Sequence, residues 1–205
     1  MPESSNASAA IVSFAYEAGQ LKKLPRAGWL LPGISSPESV ADHSFRVAVL
    51  AYVIAVQEGA NPDRAAALGL FHDFPETRIG DVPSVGKPYV TTADPGKVIA
   101  DQTAALPDHL AAHVTALIAE HESAKTPGAT PEALCSRDAD KLDCLLQARE
   151  YQALGNQLVQ PWIDSMIPVI TTQTGMALAK TAQELSPNAW WTDLASSYGP
   201  QKDHD

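Results

Sequence analysis

The chain has few cysteines, few basic residues and no long uninterrupted apolar stretch. Its two cysteines, Cys135 and Cys144, fall too far apart on one predicted helix to form a disulfide. Lys and Arg number 14 against 24 Asp and Glu, which gives a formal net charge of -10. A nucleic-acid duplex or an anionic membrane rewards clustered basic residues, so neither is expected as the main partner.

No segment of the sequence has the pattern of a membrane anchor or a leader. Pro, Asp, Glu or Lys interrupts each long apolar stretch before it could span a bilayer. The N-terminal residues do not place a basic segment before an apolar one, as a signal peptide would. We therefore expect a cytoplasmic protein.

Apolar residues recur at helical spacing, and no alternating run is long enough to suggest a sheet. The predicted class is all-α, with one domain over residues 9–186, a disordered tail over residues 1–8 and a C-terminal tail over residues 187–205. Helices are predicted over residues 11–24, 37–59, 63–73, 95–106, 108–120, 131–154 and 175–185. The segment 25–37 is rich in Pro and Gly, which predicts an ordered loop of the kind that often carries binding residues.

Polar residues interrupt the apolar faces of three predicted helices. His43 lies in a buried stripe where an apolar residue is expected, and Asp140 lies one position from another such stripe. His72 and Asp73 are adjacent at a helix end, where side chains about 100° apart can reach one ion. Each has an ordinary explanation, such as a hydrogen-bonded core histidine or an ion pair of Asp140 with Lys141. Together, imidazole and carboxylate ligands suit Mn, Fe, Co or Zn better than Ca or Mg.

These residues, in this order, resemble the HD-domain metal-dependent phosphohydrolases, in their 5′-deoxynucleotidase branch. The similarity is carried by residues 26–29, 37–44, 72–81, 138–143 and 147–151. It implies an HD-domain helical bundle with the metal site between core helices, a homodimer, and hydrolysis of (deoxy)nucleoside 5′-monophosphates to nucleoside and phosphate. It also implies one divalent ion, which would be Mn, Co, Fe, Zn or Mg, held by His43, His72, Asp73 and Asp140.

The resemblance assigns further roles by position. Glu76, three residues after the His-Asp pair, and Asp81 of the following Gly-Asp fall on the catalytic carboxylates, and either one could be the general base. The implied contacts of the small-molecule nucleotide are Arg26, Trp29, Lys87 and Glu120. A carboxylate beside a metal-bound water suits phosphomonoester hydrolysis, because the ion acidifies the water and the carboxylate takes its proton.

Three other functions remain open. A di-iron oxygenase of the same fold would need extra histidines, and His109, His113 and His121 lie between the His-Asp pair and the last aspartate. A nucleotide pyrophosphohydrolase shares the metal chemistry, although the short chain and the spacing from Glu76 to Asp81 fit a nucleotidase better. A non-catalytic nucleotide sensor would typically have lost one ligand or carboxylate, and all of them are present.

Overall fold

The computed structural model describes residues 2–198, and the side chains of residues 6–198. The α-helices of this part of the chain are α1 Pro2–Ala18, α2 Val40–Glu58, α3 Pro62–Phe71, α4 Glu76–Ile79, α5 Pro95–Thr103, α6 Asp108–Ser123, α7 Pro131–Ala153, α8 Gln160–Met166, α9 Gln173–Glu184 and α10 Ala189–Ser197. Among the described residues, β-structure is limited to one isolated bridge between Pro25 and Ser39. The prediction of an all-α fold is confirmed.

Local sequence signals set the ends of the central helices. The α2 helix begins with a capping box, in which Ser39 and Asp42 accept hydrogen bonds from each other's backbone N–H. It ends at Gly59, whose φ of 73° is a left-handed conformation that favours glycine. Asn61 caps α3 and Thr130 caps α7, each followed by a proline in the first turn.

The core lies where α2, α3 and α7 pack against one another. Gly69 lets α2 and α3 approach closely, because a Cβ there would lie 3.1 Å from Val47 Cγ1 and 3.2 Å from Ala48 Cα. The contact continues through the buried side chains of Val47, Ala51, Ile54, Ala55, Ala65, Ala139, Leu142 and Leu145. By length and composition α2 could span a membrane, but one of its faces is buried in this core.

The segment after α7 folds back onto that helix. Asp138, which is fully buried on α7, accepts hydrogen bonds from the backbone N–H groups of Thr171, at 2.8 Å, and Thr172, at 2.6 Å. These contacts tie the start of α9 to α7. The α8 helix, which lies between α7 and α9 in the chain, also packs against α7, through a cluster that contains Ile163 and Ala148.

The structure differs from the predicted secondary structure mainly at the ends of the chain. The α1 helix includes residues 2–8, which were predicted to be disordered. Ala7, Ala9 and Ala10 favour a helix strongly enough to extend the apolar segment that follows them. The α4, α8 and α10 helices were not predicted, because short helices next to Pro and Gly lack a clear period. Residue 1 of the predicted first tail, and residues 199–205 of the last, lie outside the described residues.

Candidate metal centre and catalytic cavity

The four predicted ligands converge at the junction of α2, α3 and α7. His43 projects from the first turn of α2, His72 and Asp73 directly follow α3, and Asp140 lies in the middle of α7. The Nε2 atoms of the two histidines are 3.3 Å apart. Asp73 Oδ2 lies 3.5 Å from Nε2 of His43 and 3.1 Å from Nε2 of His72, and Asp140 Oδ1 lies 3.4 Å and 4.0 Å from the same two atoms.

Both histidines are oriented by acceptors on their outer side. His43 Nδ1 lies 2.6 Å from Asp143 Oδ2, and His72 Nδ1 lies 2.7 Å from the carbonyl oxygen of Gly69. A carboxylate and a carbonyl only accept hydrogen bonds, so each Nδ1 carries the proton. Nε2 of each ring therefore faces the centre of the cluster, where it would offer a lone pair to a metal ion. This is the arrangement that metal-binding histidines adopt in proteins.

The donor set fits a divalent transition-metal ion. Ligands about 2.1 Å from one ion lie roughly 3.0–3.4 Å from each other in octahedral or tetrahedral geometry. The two histidine nitrogens lie between 3.1 and 4.0 Å from each other and from the two carboxylate oxygens, which is close to this range. Two imidazoles and two carboxylates are also the ligand types of Mn, Fe, Co and Zn.

The cluster requires a positive charge even without a metal. Burial and the Arg26 guanidinium lower the pKa of His43. Hydrogen bonds to Asp140 and Asp143 raise it by more than this, so that the resulting pKa is about 9. In the metal-free protein, the second proton of the His43 ring therefore supplies the positive charge at the centre of the cluster. A metal ion meets the same requirement, and its binding releases this proton.

A cavity of about 500 Å³ opens onto this cluster. Its volume is within the range of small-molecule sites. It is lined by His72, Asp73 and Asp140, and by the predicted residues Arg26, Trp29, Glu76, Asp81 and Lys87. His43 lies beneath the cavity floor and has no exposed surface. The structure thus brings together all of the predicted site residues except Glu120.

Glu76 lies in the cavity as a half-buried residue with one buried carboxyl oxygen. Its Oε2 atom is buried and accepts no hydrogen bond from the described residues. Burial raises the pKa of Glu76, the neighbouring Asp73 and Asp81 raise it further, and the result is about 9. A carboxyl group in this position is available to exchange a proton with a molecule in the cavity.

Asp81 is held in place by the loop that precedes α2. Its Oδ2 atom accepts a 2.8 Å hydrogen bond from the backbone N–H of Ala27 and lies 3.7 Å from Arg26 Nη1. The same guanidinium nitrogen lies 3.3 Å from Asp73 Oδ2. Arg26 therefore links this loop to Asp73 of the ligand cluster and to the Asp81 carboxylate. Lys87 contributes a further cation to the cavity lining.

Trp29 and Glu120 are placed differently from the predicted substrate contacts. Trp29 is only 2% exposed, and its Nε1 donates a 2.9 Å hydrogen bond to Glu38 Oε1. Glu120 does not line the cavity. Its carboxylate instead accepts a 2.8 Å hydrogen bond from Arg64 Nε and another, also 2.8 Å, from Thr130 Oγ1.

The histidines that a second iron would require are not gathered at the cluster. His109 and His113 are exposed on α6, where His113 Nδ1 lies 2.7 Å from the carbonyl oxygen of His109. Only His121 approaches the site, with its ring centroid 5.0 Å from that of His72 and its Nδ1 2.8 Å from Ser136 Oγ. Burial and the nearby His72 lower the pKa of His121 to about 3, so it is neutral. The geometry gives no support to the di-iron alternative.

Several residues of the site were not predicted from the sequence. Asp143, which is fully buried, binds His43 on one side and Arg46 Nε on the other. Its position, one turn after Asp140 on α7, is a signal that could have identified it. Lys141, whose Nζ lies 2.7 Å from Asp140 Oδ2, and Trp162 of α8 also line the cavity. The sequence has no comparable signal for Trp162, since it lies outside every motif.

The fold and the site define an all-helical protein with a largely buried His/Asp cluster that could hold a metal ion. The family model described as HD domain matches residues 18–182. The chain therefore belongs to the HD-domain family, and the resemblance seen in the sequence is confirmed.

Two curated relatives and one solved structure illustrate this membership. The mouse protein named 5′-deoxynucleotidase HDDC2 is 34% identical over 156 residues, which cover 75% of this chain and 76% of the mouse protein. The fission yeast (Schizosaccharomyces pombe) 5′-deoxynucleotidase hdd1 is 32% identical, with 71% and 74% covered. A crystal structure from Magnetospirillum magnetotacticum, described as a predicted metal-dependent phosphohydrolase, matches with a TM-score of 0.66 and 27% identity over 87% of this chain and 92% of that one.

The orientation of His43 by Asp143 leads to a prediction about metal affinity. We expect Asp143→Asn to weaken divalent-metal binding by about 10- to 100-fold. The variant lacks the carboxylate that fixes the His43 ring and raises the basicity of its Nε2 atom. Calorimetric titration of metal-stripped protein with Zn²⁺ or Mn²⁺ measures this. Asp101→Asn, on the exposed side of α5, is the matched control. Equal affinities of the wild type and Asp143→Asn would contradict this role.

The raised pKa of Glu76 predicts how the stability of the metal-free protein depends on pH. Between the ordinary value of 4.5 and about 9, the folded protein keeps a proton that the unfolded chain has released, so stability falls as the pH rises through this window. Glu76→Gln cannot ionise. We expect its Tm to exceed that of the wild type at pH 8.5 by at least about 2–4 °C, the effect of 1 kcal/mol in a domain of this size.

The control for this measurement is Glu184→Gln, because Glu184 is exposed at the end of α9. Thermal unfolding is followed at pH 5 and pH 8.5, and the advantage of Glu76→Gln should shrink at the lower pH. An advantage of the same size at both pH values would show that Glu76 does not titrate in this window.

Proposed function

We propose that the chain is a metal-dependent 5′-deoxynucleotidase, which hydrolyses deoxynucleoside 5′-monophosphates to nucleoside and phosphate. One observation carries the proposal: four candidate metal ligands, a buried Glu76 oxygen that no described residue bonds, and several cations share one cavity of nucleotide size. The names of the curated relatives support the substrate class, since both are called 5′-deoxynucleotidases. The proposed ion is Mn, Co, Fe, Zn or Mg, with the first four favoured by the ligand types.

Arg26 and Lys87 supply the local positive charge that an acidic protein needs in order to bind a phosphate. The contacts of Arg26 with Asp73 and Asp81 hold its guanidinium at the cavity wall beside the cluster, which supports this role. A guanidinium can bind two phosphate oxygens at once. The bound ion would add charge, polarise a phosphoryl oxygen and lower the pKa of a water molecule.

Glu76 is the better candidate for the general base, because the positive charge of a bound ion would lower its raised pKa and let it ionise. Its Oε2 atom has no competing hydrogen bond, whereas Asp81 Oδ2 already accepts one from Ala27. In the proposed reaction, water attacks phosphorus, its proton passes to Glu76 and the bond between phosphorus and the 5′ oxygen breaks. The leaving oxygen takes a proton from solvent and departs as the nucleoside hydroxyl, and Glu76 then returns its proton to solvent. Asp81, fixed between Ala27 and Arg26, orients the reacting groups.

Phosphate release from a panel of deoxynucleoside and ribonucleoside 5′-monophosphates tests the proposed function. Metal-stripped protein should release phosphate only after Mn, Co, Mg or Zn is added. Glu76→Gln should lower kcat by about 10²- to 10⁴-fold while metal binding is retained, because only the proton acceptor is lost. Glu184→Gln is the control. No release from any monophosphate with any metal would refute the proposal, and pyrophosphate release from polyphosphorylated nucleotides would favour the pyrophosphohydrolase instead.

We also propose that the protein is a cytoplasmic homodimer. Both cysteines are free and buried, as expected in a reducing compartment. On α2, Phe45, Val49, Val53 and Val56 form an apolar stripe along one side, and each is at least 45% exposed in the single chain. A stripe of this kind favours an interface, and a second copy could cover it by symmetric pairing of the same helix.

The dimer is tested by light scattering of the purified protein. We expect a mass of two chains for the wild type and of one chain for Phe45→Glu, since a charge in the stripe opposes pairing. Lys97→Glu, on the exposed side of α5, is the control for the added carboxylate. A monomeric wild type would overturn the homodimer without affecting the proposed reaction.

A further inference from the structure

The α8 helix forms a wall of the cavity that none of the site motifs includes. Its cavity-lining residues are Pro161, Trp162, Ser165 and Met166. Their spacing places them on one face of the helix. The other side of α8 is anchored, because Ile163 is buried against α7. The wall is therefore held by the core rather than by a free loop.

Trp162 covers the aromatic residue that was predicted to contact the nucleoside. The rings of Trp29 and Trp162 have centroids 5.6 Å apart and are inclined by 35°, while Tyr151 packs against Trp29 from another direction at 5.3 Å. Trp29 retains only 2% of its surface, and its N–H group is used by Glu38. The aromatic surface that a ligand can reach is therefore that of Trp162, which is only partly buried.

The indole N–H of Trp162, a cavity-lining residue, has no acceptor among the described residues. Its Nε1 atom is 3.5 Å from the position that a Cβ on Gly28 would occupy, and both residues line the cavity. Within residues 6–198 no acceptor forms a hydrogen bond with this N–H. A tryptophan N–H in a partly buried position usually has a partner. A ligand acceptor could supply it.

We propose that Trp162 is the specificity-determining residue that contacts the nucleobase. The inference rests on the proposed function and extends it. With the phosphate held at the metal cluster and Arg26, the base of a bound nucleotide reaches α8. There the indole ring packs on the base, and Nε1–H donates to one of its ring nitrogens or carbonyl oxygens. Because every base has a flat face and such an acceptor, this contact favours nucleotides over sugar phosphates rather than one base over another.

The test compares substrates with and without a base. Kinetic constants are measured for deoxynucleoside 5′-monophosphates and for 2-deoxyribose 5-phosphate, using the metal-loaded wild type, Trp162→Ala and Trp162→Phe. We expect Trp162→Ala to lower kcat/KM for the nucleotides by about 5- to 100-fold, through KM, because one stacking contact is lost. Trp162→Phe keeps a ring but not the N–H, so its kcat/KM for the nucleotides should lie between those of the wild type and Trp162→Ala. Hydrolysis of 2-deoxyribose 5-phosphate should change by less than about twofold, since this substrate never made the contact.

The control is Trp190→Ala, because Trp190 is 73% exposed on α10. Calorimetric titration with a deoxynucleoside adds a readout that does not depend on catalysis, and Trp162→Ala should weaken that binding by a similar factor. Equal losses for the nucleotide and the sugar phosphate would show that Trp162 only supports the fold, and would overturn the inference while leaving the proposed function intact. A wild type that releases no phosphate from any nucleotide would instead refute the proposed function.

Discussion

A buried group of four electron-pair donors, which needs a positive charge at its centre, is the constraint on which the rest of the structure depends. His43, His72, Asp73 and Asp140 come from three different segments, and both carboxylates lie within 4.0 Å of the two histidine Nε2 atoms. Such a group is stable only if a proton or a metal ion balances it. The small residues of the core allow it to form, because Gly69 brings α3 against α2 at the level of the ligands. Metal binding and helix packing are consequently coupled.

The same requirement explains the charged residues around the cluster. Asp143 orients His43 and is itself neutralised by Arg46. Arg46 Nη1 also donates a 2.6 Å hydrogen bond to Glu150 Oε1. On the cavity side, Arg26 lies between two carboxylates. Negative and positive side chains therefore alternate with increasing distance from the ligand cluster. This local order, rather than the formal net charge of -10, allows an acidic protein to accommodate an anionic substrate.

Glu76 shows that the cavity is arranged for chemistry at some expense of stability. A buried carboxyl oxygen without a hydrogen bond costs free energy, and natural proteins usually satisfy such atoms. Residues that violate this rule concentrate at functional sites. The neighbouring aspartates are satisfied by Ala27, Arg26 and the histidines, which leaves Glu76 as our candidate for proton transfer.

The sequence by itself determined the helical class and the family, and it predicted the four ligands that the structure brings together. Helical periodicity makes a polar residue on an apolar face visible, and each ligand lies beside such a face or within a short motif. The roles of Glu76, Asp81, Arg26 and Lys87 remain predictions, although the structure places all four in one cavity.

Only the tertiary structure decided which side chains face each other across helices. Asp143 meets His43 from 100 positions away, and Glu120 pairs with Arg64, 56 positions away, instead of lining the cavity. Trp162 likewise covers Trp29. Periodicity tells which side of a helix is buried, but it does not tell which residues of another helix lie against that side. Those contacts depend on how the helices pack, and packing is a property of the whole chain.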